Sequence, residues 1–140
     1  MGLKDSLQAL DIDTVLEMLS HGVGTHFRDV LLKRIPKEQI TPRINDHGGI
    51  ELQGVLEKPL DGIQPLLKVG HWHEVVDPDE GGSPDTYYIQ VFRDSSREKP
   101  ELEIFLGGNA RSRFSFAGID QFPNYEQWMG ELYFDISSMR

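Results

Sequence analysis

Cysteine is absent from this 140-residue chain. That excludes disulfides, thiol catalysis and any zinc site that needs thiolate ligands, the zinc-deaminase type included. Positive charge is scarce as well: 14 Lys and Arg stand against 23 Asp and Glu, a formal charge of −9. Nucleic-acid backbones are gripped by a basic surface, so this balance argues against nucleic-acid binding. It favours solubility and attraction to a basic protein partner. Long apolar runs are missing, none approaching the roughly 20 residues that span a bilayer. The opening Met1-Gly2-Leu3-Lys4-Asp5 lacks the charged-then-apolar layout of a secretory leader. The expectation is a cytoplasmic chain that associates with no membrane.

Several catalytic signatures are also lacking. The sequence holds no Gly-x-Ser-x-Gly elbow, no phosphate-cradling Gly-x-x-x-x-Gly-Lys, no Gly-x-Gly-x-x-Gly and no His-Glu-x-x-His. With 23 acids, no particular carboxylate pair can be singled out for acid–base work.

What is present reads as a single domain over residues 1–140, since one domain takes roughly 150 residues. Residues 1–36 read as helical. Leu3, Leu7 and Leu10 recur at helical spacing, and Thr14-Val15-Leu16-Glu17 has the form of a capping box. Gly22 and Gly24 make a break, after which Thr25 is placed to cap a second helix that Ile35-Pro36 ends. From residue 44 to 140 the chain is β-rich. Alternation predicts strands over 50–56, 66–76, 87–93, 102–106, 112–117 and 132–136, with Gly107-Gly108-Asn109 as a hairpin turn. Asn124 is expected to cap a short turn of helix through Trp128. Segregated helices and strands predict an α+β fold, the N-terminal helices packed on a mostly antiparallel sheet of about six strands.

The stretch Gly70-His71-Trp72-His73-Glu74 carries the clearest chemistry. Residues two apart in a strand share a face, so His71 and His73 form half of a site for a divalent transition metal, the cofactor they would take. The His-x-His step resembles the first motif of the cupin barrels. That family has a third histidine in a later strand, and here no histidine follows His73. Next comes an acidic loop with Asp77, Asp79, Glu80 and Asp85. Its Asp-x-Asp-x-Gly start is similar to an EF-hand loop, but position twelve is Tyr88 where that loop needs a bidentate Glu. The loop therefore reads as a docking element for a basic partner. Tyr125 and Trp128 lie in a late aromatic cluster and add residue types that dominate protein contacts.

Taken together, these features describe a small acidic interaction module that binds a protein partner in an inhibitor, immunity-type or assembly role. Self-association into a homo-oligomer is the other assembly the composition allows. The alternative is a metal-dependent enzyme or small-ligand binder built on His71 and His73.

Overall fold

The computed structural model describes residues 11–46, 48–56, 58–73, 85–106, 111–114 and 122–138, with the side chains of His73, Asp85 and residues 111–114 left out of that description. Helix α1 spans Ile12–Val23 and helix α2 Phe27–Arg34, followed by a 3-10 turn at Lys37–Gln39. The strands are β1 Ile40–Ile44, β2 Ile50–Val55, β3 Leu66–His73, β4 Asp85–Phe92, β5 Leu102–Leu106 and β6 Arg111–Phe114. Helix α3, Pro123–Ser138, closes the chain.

The six strands form one sheet in chain order, and every neighbouring pair is antiparallel. The α+β class and the antiparallel sheet are thus as the sequence predicts. Two elements differ. Residues 132–136, expected to be a strand, belong to α3. The period of the whole segment decides this, because Tyr125, Met129, Leu132 and Ile136 fall on one helical face and all four are buried. Conversely, Ile40–Ile44 is a strand that alternation did not reveal, since Pro42 interrupts it. Proline is tolerated there because β1 lies at the sheet edge.

Local signals explain the helix ends. The N-cap of α1 is Asp11, whose carboxylate accepts from the Thr14 N–H at 2.7 Å. The cap therefore sits three residues before the expected Thr14. Helix α2 has His26 at its N-cap with no side-chain hydrogen bond, so Thr25 does not cap it. Ile35 ends α2 in an extended conformation, as the following proline requires. Helix α3 is capped from a distance. Asp61 and Gly62 form a tight turn with positive φ of 54° and 81°, closed by paired hydrogen bonds between Leu60 and Ile63. The Asp61 carboxylate then accepts from the Asn124 N–H at 2.7 Å and the Tyr125 N–H at 3.0 Å. Asn124, expected as the cap, instead donates its own amide to Asp61.

The registers Leu52↔Val69↔Ile89↔Ile104 and Leu67↔Val91↔Leu102 put the apolar residues of four strands on one face. These join the buried residues of all three helices in one cluster, including Leu16, Leu19, Phe27, Leu31, Met129 and Ile136. Buried residues of the opposite face, Leu66, Tyr88 and Phe92, stand outside that cluster. The helices therefore cover one face of the sheet, the inner face. Among the described residues no helix is long and apolar enough to cross a membrane.

Candidate functional site

The outer face of the sheet is built from residues that alternate with the core. One row runs Arg43↔Glu51↔Gly70↔Tyr88↔Phe105↔Arg111 across all six strands. Gly70 is the point on which this row turns. A Cβ there would fall 2.3 Å from the Tyr88 hydroxyl, so the missing side chain lets the Tyr88 ring lie across β3. The hydroxyl thereby reaches Glu51 and donates to its Oε1 at 2.5 Å. Asn45 Nδ2 in turn donates to the Tyr88 hydroxyl at 3.1 Å and to the His71 carbonyl at 3.0 Å.

Glu51 and Asn45 are the buried polar residues of the described chain. Burial first, and then the Glu51 carboxylate beside it, push the Tyr88 phenol well above its ordinary pKa, so the hydroxyl remains a donor. Glu51 also accepts from Gln53 at 3.0 Å and pairs with Arg43 at 3.2 Å. Such a well-satisfied carboxylate is a clamp between strands.

Above this clamp the outer face is aromatic. The Trp72 ring stands 5.2 Å from Tyr88 and 5.7 Å, edge-on, from Phe105. Trp72 and Phe105 are both half-buried. Lys68 lies over Phe92 at 4.8 Å, and Gln90 donates to Glu103 at 2.7 Å on the neighbouring strand. An aromatic centre with a polar surround is the composition of a protein-contact surface.

The expected histidine pair lies at the far end of the β3–β4 hairpin. His71 shares the inner face with Leu67 and Val69, while Trp72 lies on the outer one, as strand alternation requires. The His71 ring is half-buried and packs against Tyr87 with centroids 4.7 Å apart and planes tilted by 41°. Tyr87 in turn lies against α1, where Gly22 leaves it room: a Cβ there would fall 2.0 Å from the ring. His73 and Asp85 are directly opposed Cα partners at the hairpin end. Register thus places Asp85, expected as a partner-binding acid, on the same face as both histidines. Asp77, Asp79 and Glu80 lie outside the described residues. Among the described residues no three His, Asp or Glu side chains gather as a metal cluster.

The two aromatic candidates on α3 part company. Tyr125 is 1% exposed, with its hydroxyl donating to Glu101 Oε1 at 2.9 Å, so its ring is unavailable to a partner. The aromatic spacing that suggested a contact patch is instead the buried stripe of α3. Glu101 is held by Arg93 through two bonds of 2.9 and 2.8 Å, and this cluster pins α3 to the sheet. Trp128 is half-buried and lines a groove of about 420 Å³ with Lys33, Lys58 and Leu60. This basic-rimmed groove lies on the helical side of the sheet.

Sequence reasoning missed Tyr88, Glu51, Asn45 and Phe105. Their partners are 37 and 43 residues apart, beyond any local pattern. One signal was available in Gly70, since an isolated glycine inside a strand marks a close approach. Compared with known proteins, the chain matches no family model, no curated protein sequence and no solved structure.

Proposed function

We propose that this chain is a small acidic cytoplasmic module that binds a protein partner through the outer face of its sheet, in an inhibitor, immunity-type or assembly role. The observation that carries this reading is the half-buried pair Trp72 and Phe105, seated with the buried Tyr88 ring on a face that no described helix covers. The Tyr88–Glu51–Asn45 clamp supports it by fixing the ring beneath that surface, so that docking costs little side-chain entropy. Trp72 also lies on the hairpin whose connection carries Asp77, Asp79 and Glu80, which suits a partner with a basic rim and an apolar centre.

Affinity capture with the full chain tests the reading. A stoichiometric partner should be retained by the parent and by Met18→Ala on α1, and lost by the Trp72→Ala Phe105→Ala variant. Retention by that variant, or a chain that is monomeric and captures nothing, would overturn it. A second reading, a metal-dependent enzyme or small-ligand binder using His71 and His73, is favoured by the placement of Asp85 opposite His73.

A further inference from the structure

We propose that the groove lined by Trp128 binds a small aromatic anion, its ring against the indole and its negative group paired with Lys33 and Lys58. The groove encloses about 420 Å³ where the C-terminal end of α2, the segment after β2 and α3 meet. That size falls within the roughly 300–1,000 Å³ of small-ligand sites, which are mostly apolar with a few charged groups. Here Pro36, Leu56, Leu60 and Trp128 are the apolar lining, and Lys33, Arg34, Lys58 and Glu131 are the charged one.

The apolar wall is held in place by the fold itself. The buried stripe of α3 runs through Tyr125, Met129, Leu132 and Ile136, and Trp128 lies at its edge, half-buried and packed against the core. Leu60 exchanges hydrogen bonds of 2.7 and 2.8 Å with Ile63, and the Asp61 carboxylate ties that turn to the start of α3. Arg34 joins α2 to α3, donating to the Val30 carbonyl at 3.0 Å and to Asp135 at 2.5 Å. A ring can therefore enter with little reorganisation, which keeps the ordering cost of binding low.

Charge decides what enters. Arg34 is spent on Asp135, but Lys33 and Lys58 are exposed and form no ion pair among the described residues. Two unpaired ammonium groups beside one apolar wall, in a chain of formal charge −9, favour an anion there and not a cation. Glu131 is the opposing charge; it lies one turn beyond Gln127 on α3 and accepts from it at 3.1 Å. The ligand's ring is thus directed to the α3 side and its anionic group to the lysine side. Lysine acts as a point charge, so a carboxylate and a phosphate both satisfy it. An extended peptide fits less well, because it is gripped through free backbone groups. Leu56 already bonds Pro65 and Gln64 through its N–H and carbonyl, and the Ile35 N–H bonds Leu31. The groove is on the helical side, away from Trp72 and Phe105, so this site stands or falls separately from the partner-binding surface.

NMR titration of the full chain with 2-naphthoate tests the assignment, with the two indole N–H signals assigned from Trp72→Phe. The Trp128 indole should shift saturably with a dissociation constant of about 1 mM or tighter, ordinary for so small a ligand, and the Trp72 indole should not move. Neutral 2-naphthalenemethanol should bind roughly tenfold more weakly. Lys33→Gln Lys58→Gln, two exposed substitutions, should remove that preference, and Lys68→Gln on the outer face should keep it. Tighter binding of 2-naphthyl phosphate, lost in the same double variant, would identify the head group as phosphate; the reverse order would identify it as carboxylate. Absence of a saturable Trp128 shift with both anions would overturn the proposal. So would equal affinity for the neutral alcohol, a preference for the anion that survives the double variant, or binding of poly-L-glutamate without binding of either naphthyl anion.

Discussion

Replacing Tyr88 by Phe isolates the clamp beneath the outer face. The ring stays across Gly70 and keeps its place beside Trp72, so no cavity opens. Only the hydroxyl is lost, with one bond to the Glu51 carboxylate and one from the Asn45 amide. A hydrogen bond to a charged group contributes about 1.5–3 kcal/mol and a neutral one about 0.5–1.5 kcal/mol. Neither partner is orphaned, since Glu51 keeps Gln53 and Arg43 while Asn45 keeps the His71 carbonyl. The expected loss therefore lies near the lower end of the sum, about 2–3 kcal/mol. Urea unfolding should report it as a lower midpoint with an unchanged slope, which marks a change in stability and not in the unfolded chain. Combined with Glu51→Gln, the two substitutions should be non-additive by about 1 kcal/mol, because they act on the same bond. A Tyr88→Phe loss below about 0.5 kcal/mol, or strict additivity, would refute the claim that this network holds the strands in place.

The remaining predictions follow from the same geometry. The Tyr88 phenol is raised, so its contribution is complete below the unfolded-state value of about 10 and is lost as pH climbs through the folded value. Stability should fall on the alkaline side in the parent and less steeply in Tyr88→Phe, as thermal melts against pH will show. The Asn124 amide, with the Tyr125 and Asn124 backbone N–H groups, lowers the Asp61 carboxyl. Its contribution is present above the unfolded value of about 3.9 and is lost as pH falls through the folded one, so Asp61→Asn should flatten the acid limb of the melting profile. Gly49→Ala would put a Cβ 1.8 Å from the His71 carbonyl oxygen, a backbone atom with little room to yield, and should cost about 3 kcal/mol or more. Gly130→Ala, on α3 with nothing within 4 Å of the new Cβ, should stabilise by about 1 kcal/mol in the same assay.

How far the sequence could be read depended on whether the deciding contact was local. Strands β2 to β5 show in alternation because each has one face in the core, and Ile35-Pro36 shows the end of α2 because the proline constraint is covalent. Strand β1 is hidden by Pro42, which an edge strand accepts and a central one would not. The second half of α3 carries Tyr133, Phe134 and the β-branched Ile136, residue types that favour strands. Its fate is set by the 4-3-4 spacing from Tyr125 to Ile136, and by an N-cap supplied from Asp61, over sixty residues away. The histidine pair was legible because residues two apart in a strand share a face whatever the strand pairs with. That Asp85 joins them was not, because the eleven intervening residues leave the hairpin register open until the β3–β4 ladder sets it.

Photo-crosslinking tests the central claim, that the outer sheet face is the docking surface, most directly. A photoreactive amino acid replacing Phe105 in the otherwise intact chain should yield a discrete adduct with a partner protein. That adduct should disappear when Trp72→Ala is added. The same amino acid at Met18, exposed on α1, should yield none. No adduct from position 105, or an equal adduct from position 18, would contradict the account.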